Sequence, residues 1–246
     1  MKHYGLIPAR MESSRLPGKP LLDFWGMPMI VHVAKRAQLS KTLDEVIVCT
    51  DSYKIVNVCL EYAIPCCLTS EKCINGTERI AEASEMIGIE EKDFIIDIQG
   101  DEPLIDPAAI DNVANFLAKN DYDIVVPYIK IFGQEDFNRV KIVSSNNRIL
   151  FMSRKNIPYP FTSETDYKKH LSIIGFKVKA LKKFHHAGPT KLEEIESIEL
   201  LRALELGLRI GTFEEFGDST AVDNQQDYEK ALRLMKKDKI FERYKA

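Results

Sequence analysis

The sequence has no CxxC pair. Its five cysteines, Cys49, Cys59, Cys66, Cys67 and Cys73, are an odd number without metal-ligand spacing. That argues against a zinc site or a disulfide framework and for reduced thiols. No apolar run approaches the roughly 18 residues of a membrane span. The opening MKHYGLIPAR has neither the apolar stretch nor the small-residue cleavage site of a secretion signal. A soluble, cytoplasmic protein is therefore expected. An excess of either charge is missing too: the net charge is −3 over 246 residues, which argues against a protein that coats nucleic acid. No repeat, low-complexity tract or flexible linker divides the chain. The GxxxxGK[ST] phosphate loop is absent, and no two glycines are separated by one residue, so no dinucleotide fingerprint exists. There is no nucleophile elbow and no Ser/His/Asp ordering. A direct displacement without a covalent enzyme intermediate fits that absence.

What is present is alternation. YGLI (4–7), EVIVCT (45–50), PCCL (65–68) and DFIIDIQG (93–100) read as short buried strands. Between them PMIVHVAKRAQL (28–39), SYKIVNVCLEYA (52–63), GTERIAEASEMIG (76–88) and PAAIDNVANFLAK (107–119) carry helical spacing. This rhythm predicts an α/β fold with a mostly parallel sheet and helices on both faces. After residue 120 the rhythm changes. Residues 123–131 and 171–178 read as strands, and 141–154 as a hairpin turning at Asn146-Asn147. Residues 157–169 read as a loop or lid, 192–207 as one strong helix, and the last segment as a loop and helix. His185-His186 read as a polar turn. The simplest organisation is one domain over 1–246 with a substrate or dimer subdomain inserted at about 130–190.

The stretch IPARMESSRLPGKPL (7–21) leaves the first strand and carries Arg10, Arg15 and Lys19 around Pro17, Gly18 and Pro20. Open α/β sheets bind ligands at the carboxyl ends of their strands. Guanidinium forks and an ammonium suit phosphate oxygens. A solvated basic loop would show the same charge; its position after the first strand favours phosphate. QGDEPLI (99–105) follows another strand and places Asp101 at the same end of the sheet. That aspartate suits Mg²⁺ beside phosphates, or is merely a turn carboxylate. Asp223 is a second candidate, with Asp227 facing solvent or capping the last helix. Thr50-Asp51 either joins such a site or caps a helix. Arg154 could meet an anionic ligand or lie on the surface.

The 7–21 stretch resembles the N-terminal signature of the cytidylyltransferases that activate 3-deoxy-manno-octulosonate (KDO), IPAR-x-x-S-[ST]-R-[LF]-P-G-K-P-L. The resemblance continues through VCTD, NGTERIAEA, IIDIQGDEPLIDP, FMSRKNIPYP, KHLSIIGF, LEEIESIELLRALELG and AVDNQQDYEKA, almost the whole chain in order. It implies a Rossmann-like nucleotidyltransferase fold, a homodimer, CTP and an acidic sugar as substrates, and Mg²⁺. Pro8, Ala9, Arg10, Ser14, Arg15 and Lys19 would cradle CTP phosphates, with Arg10, Arg15, Lys19 and Asp101 as the catalytic set. Thr50, Gly76, Thr77, Arg79 and Gln99 would complete the nucleotide site. Asp101 and Asp223 match the family's metal-binding aspartates. Gln99, Arg154, His170, Ile174, Glu199 and Leu200 fall where the family holds its sugar. Two of these depart from the family: a tyrosine is replaced by Ile174 and a glutamine by Leu200, while a glycine becomes Ser172. The departures put the acceptor in question between KDO and a related acid such as its 8-amino analogue.

Overall fold

The structure is a computed structural model that describes residues 1–13, 15–133, 135–162, 165–217 and 220–245. The strands and helices, in chain order, are β1 (His3–Ala9), β2 (Asp23–Phe24), β3 (Met27–Pro28), α1 (Met29–Ala37), β4 (Glu45–Thr50), α2 (Tyr53–Glu61), β5 (Cys66–Leu68) and α3 (Gly76–Ile87). Next come β6 (Phe94–Ile98), α4 (Pro107–Lys119), β7 (Ile124–Val125), β8 (Tyr128–Ile131), β9 (Lys141–Ser145) and β10 (Arg148–Ser153). The chain closes with β11 (Tyr167–His170), β12 (Ile173–Lys177), α5 (Val178–Ala187), α6 (Lys191–Glu196), α7 (Leu200–Glu205), β13 (Ile210–Gly211) and α8 (Gln225–Met235).

Eleven strands form one sheet in the order β5-β4-β1-β6-β12-β7-β13-β10-β9-β11-β8. The first four run parallel. Beyond them β12 is antiparallel to both β6 and β7, and the β8–β11 end is antiparallel throughout. The parallel half is therefore the expected α/β core, and the far half is a mixed extension of the same sheet. Side chains alternate across each strand. Leu6 and Ile95 join a core built with α3, α5 and α7, whereas Ile7 and Ile96 join the opposite core with α1, α2 and α4. A third, smaller core seats α8 and the β2–β3 hairpin against Leu16 and Val222.

Several elements depart from the expectations, each for a local reason. The 9–27 segment contains the β2–β3 hairpin, which turns through Trp25 and Gly26, both at positive φ. The 123–131 run splits at Val126-Pro127; a proline cannot donate to a ladder, and β7 and β8 lie far apart in the sheet. His185 and His186 belong to α5, not to a polar turn, because Val178, Leu181 and Phe184 share one buried stripe. The expected 192–207 helix is broken at Ser197, which takes left-handed φ 52. There the carbonyls of Glu196 and Ser197 turn to accept from Arg154 Nε and Nη2 at 2.8 and 2.7 Å. The Asn146-Asn147 hairpin forms as read, with both residues at positive φ.

One buried group ties the helices of the first core together. Arg202 on α7 is fully buried. Its guanidinium donates to both carboxylate oxygens of Glu193 on α6, each at 2.7 Å, and to Glu78 on α3 at 2.6 Å. It also lies 4.1 Å from the centroid of the Phe184 ring on α5. His185 meets the other oxygen of Glu78 at 2.6 Å. Deleting the cation would leave two largely buried carboxylates uncompensated. Arg202→Met should therefore cost about 3–5 kcal/mol in urea unfolding monitored by circular dichroism. A loss below about 1 kcal/mol, the scale of an exposed pair, would show the cluster to be ornamental.

Candidate active site

The site lies at the carboxyl ends of β1 and β6. Gly18 adopts φ 69, and the chain then enters a single tight turn over Lys19–Leu21. That turn delivers the Lys19 side chain inward. Its ammonium donates to Asp101 Oδ2 at 2.7 Å and Asp223 Oδ1 at 3.3 Å. Arg15 Nη2 reaches the same Asp223 oxygen at 3.0 Å. The backbone assists, since Val222 N donates to the Asp101 carbonyl at 2.9 Å. Two aspartates distant in sequence thus converge on one cation. Asp227 neither faces away nor caps α8: Asn224 is the cap, and the Asp227 carboxylate accepts from Asp223 N at 3.2 Å.

The loop also approaches its neighbours closely. A Cβ on Gly100 would lie 2.6 Å from the Pro8 carbonyl oxygen, and one on Gly76 3.2 Å from Pro8 Cγ. Only glycine lets the ends of β1, α3 and β6 meet here. Asn75 opens α3 by accepting from Glu78 N at 2.8 Å.

Two cavities adjoin this centre. The first, about 640 Å³, is lined by Pro8, Ala9, Arg10, Lys19, Gly76 and Arg79 together with Cys73, Ile74 and Asn75. The second, about 580 Å³, is lined by Arg154, His170, Ile174, Leu200 and Thr77, with Arg139, Lys169 and Ser172. Arg15, Gln99, Asp101, Glu199 and Asp223 line both. The six residues expected around the sugar therefore share one chamber. The residues expected around the nucleotide share the other, with three exceptions. Thr77 lines the second chamber, where its hydroxyl donates to Glu199 Oε2 at 2.6 Å. Thr50 lines neither chamber; it is buried, and its hydroxyl accepts from Ser52 N at 3.2 Å. Ser14 lies outside the described residues.

Two arginines have less freedom than their charge suggests. Arg79 donates to Asp51 at 2.6 Å and to Thr69 at 2.7 Å. Its guanidinium is a brace for the chamber wall. Arg154 gives Nε, Nη1 and Nη2 to the carbonyls of Glu196, Phe137 and Ser197. It shapes the chamber by fixing the α6–α7 break. Beneath it Lys141, fully buried, caps the carbonyls of Asp136 and Arg139 at 2.7 and 2.6 Å, and also that of Arg154. Arg139 and Lys169 are the cations that sequence reading missed, since nothing local sets them apart from surface charge.

Protonation follows enclosure. His170 shows part of its ring to the chamber, but the surrounding protein removes enough water to pull it down to about 4, so it is neutral near neutral pH. Burial raises Glu199. Burial, and then the neighbouring Glu199, pushes Asp97 well up. Among the described residues no group of three or more His, Cys, Asp or Glu side chains could hold a metal by itself. Asp101 and Asp223, which face the basic loop, nevertheless match the donor set of Mg²⁺, which takes one or two carboxylates and completes its shell with phosphates and water.

The chain resembles known proteins in sequence and in fold. The sequence model of the family described as Cytidylyltransferase matches residues 4–210. The 3-deoxy-manno-octulosonate cytidylyltransferase of Lawsonia intracellularis is 38% identical over 92% of this chain and 91% of its own. The 8-amino-3,8-dideoxy-manno-octulosonate cytidylyltransferase of Shewanella pealeana is also 38% identical, over 90% of this chain and 94% of its own. Among solved structures, a CMP:2-keto-3-deoxy-manno-octonic acid synthetase complexed with CTP superposes with a TM-score of 0.90. It is 32% identical, covering 96% of this chain and 99% of that one. By sequence over most of its length, and by fold, the chain belongs to the cytidylyltransferase family.

Proposed function

We propose that this protein transfers CMP from CTP to the anomeric hydroxyl of a 3-deoxy-manno-octulosonate-type sugar acid, releasing pyrophosphate. The observation that carries the reading is the pair of chambers joined at Arg15, Gln99, Asp101, Glu199 and Asp223. A two-substrate displacement needs two pockets that share one charged seam. The names of the relatives and the CTP complex of the structural neighbour support the identity of both substrates.

CTP lies in the chamber lined by the loop after β1, with its phosphates toward Arg10, Arg15 and Lys19. The sugar acid lies in the other chamber, among Gln99, His170 and Glu199. Its anomeric oxygen then faces the α-phosphorus across the seam. The oxygen attacks phosphorus while the bond to pyrophosphate breaks, and the hydroxyl proton is released to solvent. Most of the rate enhancement comes from positioning and from cations that offset charge on the departing group. A triphosphate offers Lys19 and Arg15 new oxygen partners in place of Asp101 and Asp223. That exchange leaves both carboxylates available to hold Mg²⁺. When bound, the ion would neutralise the α-phosphate and lower the pKa of the attacking hydroxyl. Neutral His170 serves as a hydrogen-bonding wall and carries no charge. We place the protein in the cytoplasm, where CTP is made, and its product in lipopolysaccharide biosynthesis.

Pyrophosphate release should require CTP, KDO and Mg²⁺ together, and chelation should abolish it. CTP binding by calorimetry without turnover of any sugar acid would make the protein a binder, and the enzyme assignment would fall. Asp101→Asn should reduce turnover by at least about a hundredfold, with the circular dichroism spectrum retained. Near-normal turnover in that variant would remove Asp101 from the metal site.

We also propose a two-fold homodimer built on the 130–190 subdomain. Phe132, Leu150, Tyr159 and Phe161 each expose more than half of their surface there. A partner copy packed on this part of the fold would cover that apolar surface. Light scattering at micromolar concentration should give twice the mass of the 28.1 kDa chain. A monomer would overturn this assembly.

A further inference from the structure

Arg36 is a buried cation that lines neither chamber. It lies on α1, yet three of its nitrogens donate to other segments. Nε meets the Ile105 carbonyl at 2.6 Å and Nη2 the Leu104 carbonyl at 3.1 Å. Those carbonyls belong to the loop after β6 that also carries Asp101. Nη1 pairs with the Asp238 carboxylate. Asp238 lies just past the end of α8, and Asp223 just before its start. One guanidinium thus touches both segments that bring the aspartates to the seam.

Both segments are tightly bonded between Arg36 and the seam. In the loop, Glu102 N donates to the Gln99 carbonyl at 3.2 Å and Ile105 N to the Glu102 carbonyl at 3.0 Å. These consecutive turns link Asp101 to Leu104 and Ile105 through closed backbone rings. The helix α8 is a strut. Asn224 caps its near end, where the Asp227 carboxylate accepts from Asp223 N. At its far end Asp238 N donates to the Met235 carbonyl at 3.0 Å. Leu104, Val222 and Met235 pack with Met29 of α1 in the third core. That core supplies burial, whereas the guanidinium asks for particular oxygens from each segment. Displacing either segment would leave a buried charged donor unpaired, which is costly.

The occupants of the seam differ in what they tolerate. A lysine ammonium on its flexible stem can follow two carboxylates as they shift. Mg²⁺ demands near-octahedral ligands at about 2.0–2.1 Å. The spacing of Asp101 and Asp223 therefore matters more to the ion than to Lys19. We propose that Arg36 is a positioning residue that holds the Asp101 loop and the Asp223 helix at the separation a divalent cation needs. The inference rests on the cytidylyl-transfer reading with Asp101 and Asp223 as the metal ligands. Arg36 touches no substrate; it acts through the two segments it joins.

The test is calorimetric titration of CTP into the protein, once with Mg²⁺ and once with EDTA. No sugar acid is present, so nothing turns over. The unaltered protein should bind CTP more tightly with Mg²⁺, and the ratio of the two dissociation constants measures what the metal contributes. Arg36→Lys keeps the charge and loses the fork. It should bring that ratio most of the way to one while leaving the constant in EDTA unchanged. Outer-shell partners of metal sites carry about ten- to a hundredfold in affinity. A merely structural Arg36 would lower the thermal midpoint, or weaken CTP alike in both buffers, and leave the ratio intact. Should Arg36→Lys fail to fold, Asp238→Ala cuts only the tie to the end of α8 and should lower the ratio in the same way. An undiminished ratio in whichever variant is read overturns the inference, whether or not CTP affinity falls in general. A ratio of one in the unaltered protein would instead sink the metal assignment of Asp101 and Asp223. CTP binding in neither buffer would sink the cytidylyl-transfer reading. Either of those results takes this inference with it.

Discussion

A guanidinium without water decides where four helices lie. Arg202 can remain charged at zero exposure only because Glu78 and Glu193 meet it on two sides and the Phe184 ring covers a third. Each partner comes from a different helix, so satisfying the charge fixes α3, α5, α6 and α7 relative to one another. An apolar cluster could pack these helices with similar energy, but it would not demand one particular partner from each of them. The consequence reaches the site directly. Glu199 stands three residues before Arg202, and Thr77 one residue before Glu78; the helices that hold the cluster also bring these two within 2.6 Å of each other. The floor of the second chamber inherits its geometry from a buried ion cluster whose own members line neither chamber.

A second constraint acts at the seam. Lys19 and Arg15 gather Asp101 and Asp223 from segments far apart in the sequence. Lys19 is mostly enclosed, whereas Arg15 is largely exposed. The lysine therefore holds a defined point charge, and the arginine can follow a moving phosphate. This division suits a reaction in which one phosphate stays beside the seam while the others depart with the leaving group.

The parallel half of the fold was legible because buried strands and amphipathic helices alternate there with clear periods and clear stops. So was the basic loop, since Gly18, Lys19 and Arg15 follow a strand directly. Asn146-Asn147 announced its hairpin through a preference for positive φ. What stayed hidden was whatever depends on contacts across the chain. The 192–207 segment has unbroken helical periodicity, and only the carbonyl demand of Arg154 explains its break at Ser197. Arg154 and Arg79 look like ligand-binding cations in sequence, yet their donors go to protein oxygens. No spacing rule pairs Asp101 with Asp223; the resemblance to a family did so, and the structure supplies the ammonium between them. Asp97 looked like a strand residue because its neighbours are isoleucines.

The two chambers share their most polar residues, and this limits how such an enzyme can change its acceptor. A substitution at Gln99, Asp101, Glu199 or Asp223 alters the nucleotide side and the sugar side together. Divergence that spares CTP must therefore occur in walls that only the sugar meets, or in residues behind the seam. Ile174, Leu200, Ser172 and Arg139 are of the first kind. Asp97 is of the second, since it is buried and both of its carboxylate oxygens accept from Gln99 Nε2.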